Sequence, residues 1–284
     1  MTATSSGADR VVVITGGTRG IGLGLARELL ARRCRVVICG RSETSVQSAT
    51  GMLEEQAPGR VAGLAADVTS RESVQALWDH AVATFGHVDI WINNAGISAP
   101  RKPLPEVAEE TVSAVVATNL LGATNGSVVA MAGLQQQAAG GWIWNMEGFG
   151  STGQVQPGMA AYGASKRAVT YLTETLVKEA RDGNVKVGFL SPGIVATDLL
   201  MDDYDGQPEA FEKARKIFNI LGDRVETVTP WLADRLLAAQ KSGTRVAWLT
   251  KPKAFGRFAT AGFKKRDIFA APAGSTSPSS GVGV

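Results

Sequence analysis

Apolar positions along this chain fall into short β-branched runs separated by longer stretches with helical spacing. The runs are Arg10 to Thr15, Arg35 to Cys39, Val61 to Ala66, Val88 to Ile92, Trp142 to Asn145, Val185 to Leu190 and Arg245 to Leu249. They read as nearly continuous apolar strands rather than alternating ones, as burial on both faces of a parallel sheet requires. Between them the period changes, as in Leu23, Ala26, Leu29 and Leu30, which share one side of a helix. Seven strands alternating with helices predict an α/β fold with a doubly wound, seven-stranded parallel sheet and right-handed crossovers. In such a sheet a ligand binds beyond the carboxyl ends of the strands.

One stretch breaks the alternation. Pro192 to about Arg224 holds Asp202, Asp203, Asp205, Gly206 and Pro208 ahead of a helical stretch near Glu209 to Leu221. This pattern predicts a mobile substrate lid over 192–224. A flexible N-terminus is expected over 1–9 and a disordered tail over 269–284, where Pro, Gly, Ser and Ala dominate without periodicity. The domain is expected to span 10–268.

Composition narrows the partners. The 284 residues, 44% of them apolar, can fill one sizeable core, so a single domain is expected. A net charge of +3 spread along the chain makes no basic stripe, and no nucleic-acid partner is expected. Lys264, Lys265 and Arg266 form the one short basic run, read as solvated. Cys34 and Cys39 suit two buried, reduced thiols and not a disulfide framework. Met1 to Asp9 carries no apolar leader, and no window approaches ~18 uninterrupted apolar residues. Neither secretion nor a membrane span is expected, and the expected location is cytoplasmic. His80 and His87 have no companions at metal-ligand spacing, so no metal is expected.

Chemistry concentrates at the ends of the strands. After the first run comes Thr15-Gly16-Gly17-Thr18-Arg19-Gly20-Ile21-Gly22, leading into a helical pattern. The glycines permit a tight turn and close approach of a pyrophosphate, while the free N–H groups and positive dipole end of the helix hold its charge. The spacing is T-G-x-x-x-G-x-G rather than the commoner G-x-G-x-x-G. In this the chain resembles the short-chain dehydrogenase/reductase family, which implies a single Rossmann domain and a nicotinamide dinucleotide. Gly16, Thr18, Arg19, Gly20, Ile21 and Gly22 are then the expected phosphate contacts. After the second run, where NAD-selective folds place an acid, stand Arg41 and Ser42. An acid would repel a 2′-phosphate and a guanidinium pairs with it, so Arg41, helped by Arg19, points to NADP(H). Asp67 and Val68 match the family's adenine-contacting position, and Asn93-Asn94-Ala95-Gly96 matches its next hallmark, with Asn93, Ala95 and Gly96 as the expected contacts. The resemblance adds Pro192, Gly193, Val195 and Thr197 to the cofactor set.

Tyr162-Gly163-Ala164-Ser165-Lys166 opens a helical pattern that continues through Val169, Leu172 and Leu176. Residues four apart share a helix face, so phenol and ammonium point the same way. A phenol of ordinary pKa near ~10 is a poor proton shuttle at neutrality, and a nearby lysine favours the phenolate. Tyr162 is the expected proton donor to a carbonyl oxygen. The resemblance implies that Lys166 also holds the nicotinamide ribose, and that Asn119 anchors a proton-relay water.

One element departs from the family pattern. Relatives end the strand before the catalytic helix with N-x-S-S, and the second serine polarises the substrate carbonyl. This chain reads Asn145-Met146-Glu147-Gly148. Ser151 ranks first as the substitute, if the glycine-rich loop Gly148 to Gly153 folds back. Glu147 is the alternative, as a substrate hydrogen-bond partner, although a carboxylate repels a developing oxyanion unless protonated. Phe149, Phe218 and Trp231 are candidates to line a large flat substrate.

The string Asn145 to Ser151, with Ser191-Pro192-Gly193 through Leu200 and Ala214 to Leu221, is similar to the chlorophyll b reductases of the NYC1-like group. That resemblance implies reduction of a formyl group on a tetrapyrrole, a small-molecule carbonyl substrate, with NADPH. The alternatives are a ketone reductase or alcohol dehydrogenase of secondary metabolism, and a non-catalytic NADP(H)-binding regulator, against which the intact Asn119, Tyr162 and Lys166 weigh. The resemblance also implies a homodimer or homotetramer, formed through helices around Glu109 to Met131 and Gly158 to Arg181.

Overall fold

In the computed structural model, which describes residues 9–263 and 266–270, all seven runs become strands of one parallel sheet. The first half comprises β1 (Val11–Ile14), α1 (Gly20–Ala31), β2 (Arg35–Gly40), α2 (Glu43–Gln56), β3 (Val61–Ala65), α3 (Arg71–Phe85) and β4 (Ile90–Asn93). Then α4 (Glu109–Val116), a π-helical turn (Ala117–Leu121) and α5 (Gly122–Gln136) run on as one rod, followed by β5 (Gly141–Met146), α6 (Ala160–Glu179) and β6 (Val185–Ser191). The next excursion holds β7 (Val195–Ala196), α7 (Asp198–Asp202), α8 (Pro208–Leu221) and β8 (Asp223–Arg224). After it come α9 (Val225–Ala238), β9 (Arg245–Ala247) and α10 (Lys251–Thr260). Sheet order is β3-β2-β1-β4-β5-β6-β9. The winding direction reverses between β1 and β4, which opens a crevice at their carboxyl ends.

Alternate residues of each strand feed opposite faces of the sheet. Val12 and Ile14 pack with Leu25 and Leu29 of α1 and Leu232 and Leu236 of α9. Val13 and Val37 pack with Leu77 and Trp78 of α3 and Val129 and Leu134 of α5. This two-sided burial is the reason the strands read as unbroken apolar runs. Trp142 and Trp144 stack on the first face with ring centroids 4.8 Å apart. Cys34 and Cys39 are both buried, and burial pushes each thiol up to about 11. The rod Glu109–Gln136 is long and apolar enough to cross a membrane by length and composition, but half of its most apolar window is buried inside the protein.

Three features differ from the sequence expectation. A second sheet, β7 beside β8, joins the two ends of the 192–224 excursion through the pairs Val195 with Asp223 and Ala196 with Arg224. These strands have only two residues each, too few to show a period. The tail was expected to begin at 269, yet Phe269 packs edge-on against Phe211 at 5.2 Å, and the Ala270 carbonyl accepts from Arg224. The remainder of that expected tail, the expected flexible segment 1–8, and Lys264 and Lys265 lie outside the described residues. Arg266, read as solvated, is half-buried and ion-paired with Asp223.

A buried chain of amides ties the carboxyl ends of the central strands to the helices behind them. Asn93 Nδ2 donates to Asn145 Oδ1 at 2.8 Å and to Ser127 Oγ at 3.1 Å, and Asn93 Oδ1 accepts from the Trp91 indole at 2.8 Å. Asn145 Nδ2 donates in turn to Thr173 Oγ1 at 2.9 Å, and that hydroxyl donates to the Val169 carbonyl at 2.7 Å. β4, β5, α5 and α6 are thereby held in one register. Leaving a buried donor or acceptor unpaired costs about 1–3 kcal/mol each. Asn145→Ala removes one acceptor from the Asn93 amide and the donor to Thr173 Oγ1, while Asn93 keeps Ser127 and Thr173 keeps the Val169 carbonyl, and is expected to destabilise by roughly 1–3 kcal/mol. Denaturant unfolding measures this, and an unchanged midpoint would remove the network from the stability of the fold.

Candidate active site

A cavity of about 810 Å³ opens at the reversal point, at the upper end of the ~300–1,000 Å³ range of small-molecule sites. One end is walled by the glycine loop. Gly16 and Gly20 have φ of +65° and +56°, values that favour glycine, and a Cβ on Gly16 would meet Ala95 Cα at 2.8 Å. No side chain caps α1 and no acid stands in its first turn, so its first N–H groups are unclaimed beside the cavity wall. This donor-rich cradle fits a phosphate ester. All the expected cofactor contacts line the cavity except Asn93, whose amide is spent in the buried network.

Its neighbour Asn94, part of the same hallmark but not among the expected contacts, does line the cavity. Its Nδ2 donates to the carbonyls of Thr15 and Gly16 at 2.9 and 3.0 Å and braces the glycine loop against the end of β4. The signal was present in the doubled asparagine, but only side-chain direction separates the two roles. Arg41 is exposed and makes no ion pair among the described residues, while Arg19 meets Asp198 at 3.5 Å in solvent. Ser42 caps α2 by accepting from Ser45 N at 3.3 Å.

At the far end Tyr162 and Lys166 stand one turn apart at the start of α6, and both line the cavity. Lys166 is buried, its Nζ donating to the Met146 carbonyl at 3.1 Å and lying 5.9 Å from the Tyr162 ring centre. Burial lowers its pKa to about 8, against the opposing pull of Glu147. Burial, and then the charge of Asp203, pushes the Tyr162 phenol well above its ordinary value. The lysine alone would favour the phenolate, but desolvation wins here. Asn119 lies on the π-helical turn, its carboxamide exchanging hydrogen bonds of 2.9 Å with both backbone groups of Ile97 and donating to Ser165 Oγ at 3.0 Å.

The loop after β5 folds back over the first turn of α6, but not to deliver a hydroxyl. Gly150, at φ +95°, passes so close that a Cβ would meet Gly163 Cα at 2.8 Å. Ser151 is buried with its Oγ accepting from Gly148 N at 3.1 Å and donating to the Lys166 carbonyl at 3.3 Å. It does not line the cavity, so its expected polarising role is corrected: it locks the loop to the helix. Glu147 borders the cavity, with one carboxylate oxygen committed to Arg245 at 3.1 Å and to Thr170 at 3.2 Å. Burial raises its pKa against the attraction of Arg245.

Phe149 and Phe218 line the cavity as expected of substrate residues, Phe218 in an aromatic cluster with Tyr204. Trp231 does not; it packs edge-on against Trp248 at 5.4 Å. One feature left no local trace in the sequence. Arg101, in the loop after β4, pairs at 3.4 Å with Asp203, just beyond α7, and Arg101 N donates to the Asp203 carbonyl at 3.0 Å. This nearly buried pair joins elements a hundred residues apart beside Tyr162.

The sequence profile described as short chain dehydrogenase matches residues 10–208. Chlorophyll(ide) b reductase NOL, chloroplastic, of Arabidopsis thaliana is 41% identical over 253 residues, covering 86% of this chain and 71% of the relative. A protein named probable chlorophyll(ide) b reductase NYC1, chloroplastic, of the same plant is 36% identical over 260 residues, covering 86% of this chain but 51% of its own length. The crystal structure of levodione reductase superposes with a TM-score of 0.76 at 24% identity, covering 87% of this chain and 98% of that one, a likeness of fold. The cytoplasmic location expected from the sequence is overturned by the two plant relatives, both chloroplastic. The lack of an apolar run in Met1 to Asp9 was the wrong signal, since it bears on secretion and not on plastids.

The clearance that the loop leaves for the phenol is open to test. A Cβ on Gly148 would press on the Tyr162 hydroxyl, 3.0 Å from Cζ and 3.1 Å from Lys166 Cγ. Gly148→Ala is expected to cut turnover about 10²-fold, as misplacing a reacting group by about 1 Å does, with little loss of melting temperature. Full activity in that variant would show that the phenol does not need this space.

Proposed function

The chain belongs to the short chain dehydrogenase family and is an oxidoreductase; from that premise we propose that it reduces the formyl group of a tetrapyrrole, or of another bulky aldehyde, to a hydroxymethyl group with NADPH. The observation that carries this reading is the position of Tyr162 and Lys166, on the wall of a cavity whose other end is the glycine loop. The two chlorophyll(ide) b reductase relatives support the choice of substrate, and the aromatic lining from Phe149 and Phe218 suits a large flat ring system.

The bound cofactor supplies a hydride to the carbonyl carbon. The residues of the chain do the rest. The N–H groups at the start of α1 hold the pyrophosphate, and Arg41 pairs with the 2′-phosphate. Arg19 assists, because its exposed contact with Asp198 is worth at most about 1 kcal/mol and yields to a phosphate. Lys166 holds the nicotinamide ribose. Tyr162 donates its hydroxyl proton to the carbonyl oxygen as the C–O bond becomes single, so hydride and proton together make the alcohol. The raised pKa of Tyr162 keeps this acid loaded at neutral pH. Ser151 does not line the cavity, so the phenol both polarises and protonates. The excursion over 192–224 acts as the lid, and assembly through α4–α5 and α6 is supported by exposed Leu121, Val128 and Tyr171 on those helices.

An NADPH-oxidation assay comparing chlorophyllide b with simple aromatic aldehydes and ketones tests the reading. Turnover of the tetrapyrrole is expected, and activity confined to small ketones would replace the substrate class. In the same assay Tyr162→Phe should lower kcat by ~10²–10⁴ while NADPH still binds; unaltered turnover would take Tyr162 out of the chemistry. Arg41→Asp should shift preference toward NADH, and a variant that binds NADPH as before would refute the 2′-phosphate assignment.

A further inference from the structure

The last described helix is turned inside out. In α10 the cations point inward: Lys253 lies over the Trp248 ring, 3.0 Å from its centre, and Arg257 donates to the Leu221 carbonyl at 2.7 Å and pairs with Asp223 at 2.8 Å. The aromatic residues point outward. Phe255 is 77% exposed, Phe258 49%, and Phe263, in the turn that follows, 93%. Lys251, Phe255 and Phe258 recur at the spacing of one helix face, so an exposed lysine stands one turn before the phenylalanines. α8, which packs against α10, presents exposed Lys213, Lys216 and Ile217. Its exposed acids are Glu209 and Glu212, the latter engaged by Arg215 at 3.2 Å.

This arrangement is unfavourable in water. A phenylalanine carries roughly 150–250 Å² of burial, so the exposed parts of these three, a little over two side chains' worth, fall within the range of the largest apolar patch of an ordinary monomer, about 300–600 Å², a size that often marks a functional surface. No described residue covers Phe255 or Phe263. The exposed lysines indicate the occupant. Lysine is depleted from the cores of protein–protein interfaces, whereas anionic headgroups attract each lysine by about 1 kcal/mol, and aromatic side chains seat at the boundary of headgroups and acyl chains.

We propose that α10 is a membrane-surface helix: Phe255, Phe258 and Phe263 insert shallowly into an anionic bilayer while Lys251, with the lysines of α8, meets the headgroups. The helix lies on the surface and does not span. α8 also lines the cavity through Ala214 and Phe218, so docking here would bring the substrate entrance to the lipid, where an apolar substrate partitions.

The test is co-sedimentation of the full chain with vesicles of phosphatidylcholine containing about one third phosphatidylglycerol, against phosphatidylcholine alone. Binding to the anionic vesicles is expected, falling at high salt as exposed charge interactions do. Phe255→Ser/Phe258→Ser/Phe263→Ser should weaken it about tenfold or more, and Lys251→Glu should weaken it less, both with unchanged melting temperature. Failure to sediment with anionic vesicles would overturn the proposal, as would binding that neither variant weakens. Sedimentation velocity supplies the other decisive outcome: an oligomer that the triple variant dissociates would assign this face to a second copy of the chain.

Discussion

The hydrogen bond between Asn93 and Asn145, across the ends of β4 and β5, is the constraint from which the site takes its shape. Parallel strands are held in register along their length by backbone bonds, but nothing in that ladder dictates how the helices behind the sheet are rotated. The amide chain does. It reaches α5 through Ser127 and α6 through Thr173, and Thr173 stands two turns along the helix from Lys166. With α6 fixed against β5, Lys166 can place its ammonium on the Met146 carbonyl, and Tyr162 then has one position to occupy. A polar network without a gap is costly to break and tolerates few alternatives, which is what a site needing sub-ångström placement requires.

The loop after β5 shows how the same placement is met when the usual residues are missing. Where relatives of the resembled family carry serines, this chain carries Glu147 and Gly148. The glutamate goes underneath, to Arg245 and Thr170, and becomes part of the electrostatic floor below Lys166. The glycine makes room for the phenol, and Gly150 makes room for the turn of α6 that carries it. Ser151 then fastens the loop. Ser151 does not turn its hydroxyl to the cavity, and the space at Gly148 is left to the tyrosine.

Much of this was legible in the sequence because it is local or periodic. The seven strands follow from unbroken apolar runs, and the glycine loop and the Tyr162–Lys166 pair follow from spacing. What was not legible depends on where a side chain turns. Asn93 and Asn94 are identical letters, yet one faces the core and the other the cavity. Ser151 is near enough in sequence to serve the site but is drawn to the Lys166 carbonyl. Trp231 has the size for a flat ligand and is claimed by Trp248. The Arg101–Asp203 pair spans too much chain to leave a local mark.

The two-residue ladder between β7 and β8 has a consequence for how such proteins diversify. By joining the two ends of the 192–224 excursion, it turns an insertion into a closed ring hung from one point of the scaffold. The cost of closing such a ring grows only slowly with its length, by about 0.6 kcal/mol for each doubling. Length and sequence inside the ring can therefore drift with little penalty to the sheet that carries the glycine loop or to the helix that carries Tyr162. The excursion behaves as an exchangeable cartridge: one scaffold can be refitted for substrates of very different breadth by rewriting about thirty residues, while the chemistry beneath them stays in place.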